Sequence, residues 1–528
     1  MRPSALVLLL APLLATCGTE RDRPRLLVVG WDGASFREVD RLVAAGELPN
    51  VARLMRRGVQ ARLESTIIPI SSAAWPSATT GKGPGDTGVY TFFAEKPGSY
   101  DVELISSRSN RAAPLWRILS AHGRRSIVFG VPVTYPPEPI LGTMVAGMLS
   151  PFRAAYTWPP EYADALRARG FEPDLDVWLE ARPVGWDDIE RQLAIKEEVL
   201  LELLGKDDWD LAFIVFKSLD VVSHLAYGED FSAYIAPLYR RLDGILGALL
   251  EEVGADTNVV LLSDHGFQTY AAGLNLHAWL VEQGFSARKE KVKRFTIDEN
   301  DTLAVRERQI VLQLRNELDW SRTRAFAAQS EGNYGAIRLN LAGREAEGSL
   351  APEDVERVLV ELTAALEALT DEGGKQLVTR VFRGADLHPG PYVGIVPDLL
   401  FETDEDWQVF SDPEEERVLG PYAAVVPDHD LYGILVAAGP SFAHVAERGE
   451  ARIADVAPTA LHLLGQPVYA EMTGVVRTEL LDLDAPVVVL READDPLLRA
   501  APNAAAAPFT PEELREIEER LRTLGYVD

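Results

Sequence analysis

The sequence predicts an α/β fold, in which a mostly parallel central sheet is flanked by helices and carries a smaller inserted domain. Three observations point there. From Arg25 onward short apolar runs alternate with amphipathic stretches, the pattern of strands that need helical cover on both faces. Each run meets a glycine or serine within two residues of its end, as strands do where they enter loops. Between Leu211–Phe216 and Val259–Leu262, the residues Ile235, Leu238, Leu242, Ile245, Leu249 and Val253 recur at steps of three and four. That spacing marks a crossover helix joining two parallel strands.

In chain order, the first strand is Leu26-Leu27-Val28-Val29, ending in Gly30-Trp31-Asp32-Gly33, and the next helix turns Phe36, Val39, Leu42 and Val43 to one face. Pro69 to Gly88 is rich in hydroxyls and small residues. It reads as a loop entering a helix near Ala73, whose first N–H groups could hold a phosphate. Ser126–Phe129 runs into Gly130-Val131-Pro132, Leu211–Phe216 into Lys217-Ser218-Leu219-Asp220, and Val259–Leu262 into Ser263-Asp264-His265-Gly266. Polar residues break the pattern around 289–308. Residues 25–282 are therefore expected to form the first part of the core, 283–395 an inserted cap or substrate domain, and 396–485 the second part of the core. The chain is expected to rejoin the main sheet near Pro397-Asp398-Leu399-Leu400-Phe401, and Gly433–Ala437 is a further strand. Residues 486–528 read as a linker and a terminal helix. In that helix Thr510, Pro511 and Glu513 supply an N-cap, an N1 proline and an N3 glutamate ahead of Leu514, Ile517, Leu521 and Leu524.

The amino terminus reads as an address. Arg2 precedes an apolar run from Ala5 to Ala15, too short to span a bilayer but suited to a signal peptide. The run ends in Leu14-Ala15-Thr16-Cys17-Gly18, which resembles the bacterial lipobox. Residues 1–17 are thus expected to be a signal peptide with a lipidation site at Cys17, and 18–24 a tether. The expectation is an exported protein of the cell envelope that meets the membrane through its lipid anchor alone.

Cys17 is the only cysteine, so a disulfide, a thiolate zinc site and an iron–sulfur cluster are excluded, and any metal must be held by His and carboxylates. With 81 acidic and 52 basic residues the formal net charge is −29. Such a surface argues against duplex nucleic acid or anionic lipid as the main partner. A phosphate-bearing substrate would need local cations.

Ligands of open α/β sheets bind beyond the carboxyl ends of the strands, and the sequence repeatedly places metal-ligand types there. Asp32 follows the first strand, Asp220 and His224 follow Leu211–Phe216, and Asp264 and His265 follow Val259–Leu262. The four-residue step from Asp220 to His224 puts both side chains on one face of a helical turn. Imidazole and carboxylate ligands together suit Zn²⁺, with Mn²⁺ the alternative. Each residue also has a plainer reading: Asp32 could cap the following helix together with Ser35, and His265 could be a hydrogen-bonded core histidine.

Taken together, these motifs resemble the alkaline-phosphatase superfamily, in its type I phosphodiesterase and nucleotide pyrophosphatase branch, near the predicted phosphohydrolase/phosphomutase group. The resemblance runs from about Arg25 to Glu479 and includes Leu524-Gly525-Tyr526. It rests on Val28–Gly33, on the hydroxyl-rich stretch through Ala74-Trp75 to Thr80-Gly81 and Pro84-Gly85, and on Asp220-x-x-x-His224. Ser263–Gly266, the run Tyr334–Glu347, His429-x-x-x-Gly433 and Asp455-x-x-Pro458-Thr459 complete it.

The resemblance implies a two-metal hydrolase of phosphate esters. Its nucleophile position falls on Ser71, or on Ser72 if the register slips by one. One ion would be held by Asp32, Ser71, Asp264 and His265, and the other by Asp220, His224 and His429. Two divalent ions about 4 Å apart favour in-line displacement at phosphorus, so the implied intermediate is a phosphoserine that water then hydrolyses. Two positions depart from the family pattern: Thr87 stands where a histidine is common, and Tyr90-Thr91-Phe92-Phe93 replaces a stretch that carries an asparagine.

A sulfatase of the same superfamily is disfavoured, because Ala73 and Trp75 occupy the positions where its precursor motif needs Pro and Arg. A phosphotransferase or mutase using the same site, and a non-catalytic envelope lipoprotein that keeps the fold, are the alternatives. His122, His277, His388, His444 and His462 read as structural or surface residues; Lys82 and Lys217 sit near the proposed loops and could bind a substrate anion, but read better as solvated lysines.

Overall fold

The computed structural model describes residues 23–500, apart from 97, 152–154, 174–184, 207, 226–230, 291–302 and 414. The expected signal peptide with Cys17, the acidic stretch at 298–301 and the helix after Thr510 lie outside the described residues. Among the described residues no helix is long and apolar enough to cross a membrane.

The chain first lays down β1 (Leu26–Trp31), β2 (Val59–Glu64), β3 (Ser126–Phe129), β4 (Gly142–Val145), β5 (Thr157–Trp158), β6 (Leu211–Phe216) and β7 (Asn258–Leu262). A second lobe follows, with β8 (Gly266–Asn275), β9 (Ala325–Ala327), β10 (Tyr334–Leu339), β11 (Val378–Arg383), β12 (Leu399–Thr403), β13 (Trp407–Phe410) and β14 (Leu419–Asp430). Then β15 (Tyr432–Ala438) and β16 (Arg448–Arg452) return to the first sheet. Among the described residues that sheet has nine strands, in the order β16-β2-β15-β7-β1-β6-β3-β4-β5. It is mostly parallel; β15 runs antiparallel to both β2 and β7.

β1 explains why the central strands read as unbroken apolar runs. Its side chains alternate between two cores, Leu27, Val29 and Trp31 on one face and Leu26 and Val28 on the other. The first face packs against Val39 and Leu42 of α1 (Phe36–Ala44) and against Leu242, Ile245 and Leu249 of the crossover helix α4 (Phe231–Val253). The second packs against Ala74, Trp75 and Ala78 of α2 (Ser71–Thr80) and Ala457 and Leu461 of α5 (Val456–Leu463). Gly30 is what lets α2 lie so close, since a Cβ there would sit 2.4 Å from the Trp75 ring.

Two expectations need correction. The helix expected near Ala73 begins at Ser71, because Ile70 with its extended backbone already ends the loop and its carbonyl accepts from Ala73 and Ala74. The chain does not rejoin the main sheet near Pro397–Phe401. Instead Leu399–Thr403 is β12, in the sheet β9-β10-β12-β11 of the second lobe, and the return comes at Tyr432. An apolar run signals a buried strand but not which sheet it joins; Leu399 and Phe401 are buried in the second lobe's own core with Ile337, Leu339 and Leu362. The lobe's other sheet, β13-β8-β14, pairs Gly266 with Asp430 and Phe267 with His429, so the lobe's strands span 266–430, wider than the 283–395 expected.

Two of the recurring motifs are structural. Asn340 donates to the carbonyls of Trp320 and Thr323, both at 3.0 Å, and accepts from Tyr100 at 2.6 Å. Arg344 pairs with Asp398 at 2.6 Å. Asp455, 1% exposed, accepts from the backbone N–H groups of Arg452 and Val475 at 3.0 and 2.9 Å and faces both the Arg452 and Arg477 guanidinium groups. It thereby ties the start of α5 to Val475 and Arg477. Replacing it (Asp455→Ala) removes charge-assisted hydrogen bonds and is expected to cost about 2–3 kcal/mol, measurable as a lower urea midpoint.

Candidate metal centre and nucleophile

Three neighbouring strands, β7-β1-β6, each end at a carboxylate. Asp32 follows β1, Asp264 follows β7, and Asp220 lies in the first turn of α3 (Ser218–Leu225), just past β6. Parallel alignment puts all three at one edge of the sheet. His224 follows Asp220 by one helical turn and reaches its Oδ1 at 3.2 Å. The β8–β14 register delivers His429 from the second lobe, with its Nε2 also 3.2 Å from Asp220 Oδ1 and 3.0 Å from His224 Nε2. Two ring nitrogens and one carboxylate oxygen thus converge on a point, as a metal ion requires.

The second convergence adjoins it. Ser71, the first residue of α2, has its Oγ 3.2 Å from Asp32 Oδ1 and 3.2 Å from His265 Nε2. His265 Nε2 lies 3.5 Å from Asp32 Oδ1 and 3.4 Å from Asp264 Oδ2. The rings of His265 and His429 stack with centroids 4.0 Å apart. Ser72 points elsewhere, its Oγ buried without a hydrogen bond. The structure therefore gathers all seven sequence-predicted residues, Asp32, Ser71, Asp220, His224, Asp264, His265 and His429, at one place. The expected division into two sets is not clean, because Asp220 also lies with Asp32 and His265, their ligand atoms all within 4.8 Å of one another. Asp32 is not a helix cap: its Oδ2 accepts from the Trp75 indole at 2.8 Å.

Six of the seven side chains are buried, and His224 is 41% exposed, at the mouth. Burial, then the charges of Asp264 and Asp220, push the Asp32 carboxyl well above the usual range. Burial, with Asp220, pushes Asp264 up to about 8. Burial acts on Asp220 in the same direction, but His224 and Lys217 outweigh it and hold that carboxyl well below its ordinary value. Burial lowers His265 and, with the nearby His265 ring, lowers His429 to about 4, so these imidazoles are neutral with a lone pair to give.

Three carboxylates this close cannot all ionise without added positive charge. Both Asp264 oxygens are buried and make no well-formed hydrogen bond, although the N–H groups of Gly33 and His265 face them. Donor types, convergence and the poorly satisfied carboxylate all fit divalent cations.

Surrounding residues hold the ligands. Ser263 accepts from Ala34 N–H and donates to the His265 carbonyl at 2.6 Å. His429 Nδ1 faces the Pro69 carbonyl at 2.9 Å and Glu331 Oε2 at 3.6 Å, and Tyr270 donates to the His429 carbonyl. Glu331 had no signal in the sequence, since it comes from a turn of the second lobe. The lysines expected to be solvated are both buried. Lys82 pairs with Glu492 at 2.6 Å, and Lys217, 3% exposed, lies 3.4 Å from Asp220 Oδ2. The five remaining histidines stay outside the cluster; His388 bonds the Ile67 carbonyl and His444 the Arg56 carbonyl.

The family model for type I phosphodiesterase / nucleotide pyrophosphatase matches residues 26–432. Among solved structures, the chain is similar to human ectonucleotide pyrophosphatase / phosphodiesterase 5, with 15% identity, 87% of this chain and 100% of that chain covered and a TM-score of 0.53. The murine protein of that name, in an inactive form in complex with AMP, gives 14% identity, the same coverage and a TM-score of 0.52. Phosphonoacetate hydrolase from Sinorhizobium meliloti, in complex with phosphonoformate, gives 15% identity, 84% and 95% coverage and a TM-score of 0.56. At these identities the structural likenesses speak to the fold. No curated relative matches the chain by sequence.

Because a cation would relieve repulsion among buried carboxylates, adding Zn²⁺ or Mn²⁺ to chelator-treated protein is expected to raise its thermal midpoint. At a hundred times Kd the gain is about 2.7 kcal/mol. Asp264→Asn, which removes one of the charges, is expected to shrink that shift in calorimetry.

Proposed function

The chain belongs to the type I phosphodiesterase / nucleotide pyrophosphatase family, and from that premise we propose that it hydrolyses phosphate esters with Ser71 as nucleophile at a site for two divalent cations. The family makes it a hydrolase acting on phosphoric ester bonds, and one that depends on metal. The observation that carries the finer reading is the placement of Ser71, with its Oγ 3.2 Å from both Asp32 and His265 at the first turn of a buried helix.

Asp32, Ser71, Asp264 and His265 would hold one ion and Asp220, His224 and His429 the other. Bound there, such ions supply Lewis-acid stabilisation of the phosphoryl and leaving oxygens and favour ionisation of the serine. The protein's own groups do the rest. Asp32 Oδ1 accepts the Ser71 hydroxyl proton in a hydrogen bond and so turns an oxygen lone pair toward the cleft. The Trp75 indole fixes the opposite oxygen of Asp32, which sets the direction of that bond. The N–H groups of Ser71 and Ser72, which precede the Ala73 and Ala74 bonds to the Ile70 carbonyl, together with the positive end of the helix dipole, would favour the non-bridging oxygens. Attack forms the Oγ–P bond and expels the ester oxygen as an alcohol. Water then cleaves the Oγ–P bond, releasing phosphate, or a monoester from a diester substrate, and restoring the hydroxyl.

Zn²⁺ is the proposed metal on the mixed imidazole and carboxylate set, with Mn²⁺ the alternative. Export and lipid anchoring at Cys17 are also proposed, on the amino-terminal sequence alone. Replacing that cysteine (Cys17→Ser) is expected to move the expressed protein from the membrane fraction to the soluble fraction, read by immunoblot.

The nucleophile is tested by Ser71→Ala. Hydrolysis of a nitrophenyl phosphate ester is expected to fall by at least about a thousandfold, which is about 4 kcal/mol of barrier, while metal content stays near that of the parent. Full activity in that variant would falsify the assignment. Ser72→Ala is expected to keep turnover within a few-fold.

A further inference from the structure

We propose that Arg108 forms an anion subsite beside the metal centre, which receives a second anionic group carried by the substrate, a carboxylate or a further phosphoryl. This deepens the phosphoesterase reading above and rests on it.

The observation that calls for a ligand is an unsatisfied cation. Arg108 is half-buried, and its Nη1 is fully buried without a hydrogen bond. Among the described residues no carboxylate pairs with this guanidinium and no aromatic ring lies against it. Arginine stays charged at every working pH, and this one belongs to a chain of formal net charge −29. Leaving part of a charge dry and unpaired is costly, so an anion from outside the chain is the partner it lacks. Glu138, the acidic residue two places beyond Pro136, is already held by Arg117 at 2.7 Å and by the Trp116 indole at 2.6 Å.

Position says which anion. Ser107 is bonded to the segment that follows β3: its N–H donates to the Tyr135 carbonyl at 2.7 Å and its hydroxyl to the Pro136 carbonyl at 2.6 Å. On either side, Ile105 N–H donates to the Phe92 carbonyl at 3.0 Å and Arg111 N–H to the Thr87 carbonyl at 2.7 Å. Loop 105–111 is thus pinned at both ends, with Arg108 in a turn that Ser109 N–H closes onto the Ser106 carbonyl. In the sheet β3 adjoins β6 on the side away from β1. The ends of β7, β1 and β6 lead into the metal-ligand set, so the segment after β3 continues the same edge. With strands about 4.8 Å apart, the end of β3 stands roughly 10 Å from that of β1, where Ser71 meets Asp32. Ile105 and Val133 share one apolar cluster with Ile70 and Ala73, which flank Ser71 in the chain. The subsite therefore suits a group a few bonds from the phosphorus rather than the phosphoryl under attack. Arginine matches either anion, because its planar fork gives two parallel N–H···O bonds to a carboxylate or a phosphate.

The backbone beside the subsite is also unusual. Among the described residues, Val133 and Leu149 are the non-glycine positions with positive φ, at 60° and 72°. They lie in the segments that follow β3 and β4, and strain of this kind collects where ligands are held.

The test measures binding by calorimetry to metal-loaded Ser71→Ala protein. Ethyl phosphate is compared with phosphoglycolate, which adds a carboxylate, and methyl phosphate with methyl diphosphate, which adds a phosphoryl. At least one of the doubly anionic ligands is expected to bind at least about tenfold tighter than its comparison ester, and which one does so identifies the anion. Arg108→Gln is expected to abolish that preference while leaving ethyl and methyl phosphate within a few-fold, and Arg108→Lys to restore it in part. Metal content is measured on every sample. No preference in the parent, or a preference that survives Arg108→Gln, overturns the proposal. Equal losses on all four ligands also overturn it, since they would mean a purely structural arginine. Arg108→Met, which keeps the apolar stem, replaces Arg108→Gln if the latter lowers the thermal midpoint. These readouts need no turnover. Wild-type protein inactive on nitrophenyl phosphate and bis-nitrophenyl phosphate would overturn the hydrolytic reading instead, and ligand affinity would still decide the role of Arg108.

Discussion

Mutual repulsion among Asp32, Asp220 and Asp264 is the constraint that the surrounding chain accommodates. All three are 4% exposed or less, and they end adjacent elements of one parallel sheet. Water would screen such a cluster at little cost, but burial removes that screen and leaves each ionised carboxylate several kcal/mol above its hydrated state. The neighbourhood answers with every form of positive potential a cysteine-free site can offer. Lys217 faces one oxygen of Asp220, the Trp75 indole N–H faces one oxygen of Asp32, and the amino end of α2 points into the gap. The His265 and His429 imidazoles line the remainder with lone pairs, whereas at His224 the Asp220 carboxylate outweighs burial and raises the imidazole above its ordinary value. The residual deficit is what a pair of divalent ions would fill.

Most of the fold can be read as the means of holding those carboxylates still. A parallel sheet brings three strand ends to one edge without loops of special length, and its buried strands must be apolar on both faces, as β1 and β6 are. Gly30 admits Trp75 at a distance no side chain would allow, which sets α2, and so Ser71, against Asp32. α5 packs against α2 through Ala457 and Leu461, and Asp455 ties its start to Val475 and Arg477. The antiparallel pairing of β8 with β14 places His429 opposite Phe267, two residues beyond His265, so a ligand distant in sequence arrives by register.

This division explains what could be read in the chain alone. Asp32, Asp220, His224, Asp264 and His265 were legible because they stand directly after apolar runs, where strand-end geometry makes residue type informative. Ser71 and His429 were legible only through the resemblance; nothing local in Pro69-Ile70-Ser71-Ser72 separates one hydroxyl from its neighbour, and the choice is made by α2 starting at Ser71. Of the two readings of Lys217 the favoured one, a solvated lysine, fails: lysine is normally solvated, but this one is buried against Met148, 69 residues earlier in the chain. The second lobe's limits were misplaced for a related reason. Leu399–Thr403 has the composition of a core strand and is one, but its partners Tyr334–Ile337 and Val378–Arg383 are contributed by the lobe.

How the two lobes meet bears on how the cleft is shaped. Ion pairs such as Arg315–Glu95 and Arg308–Asp101 join them, and apolar packing does so too. Ile67, Ile68, Ile70 and Ala73 from the first lobe share one apolar cluster with Tyr334, Ala336 and Leu400 from the second. Opening that contact would expose apolar area at about 25 cal/mol per Å², and it would carry His429 away from Asp220. The second lobe is therefore part of the wall rather than a lid over it, and it brings Glu331 to within 3.6 Å of a ring nitrogen of His429. That acidic rim, on a chain of formal net charge −29, gives an anionic ester no long-range attraction toward the cleft. Attraction has to be local and short-ranged, from the divalent ions that the carboxylates and imidazoles would hold.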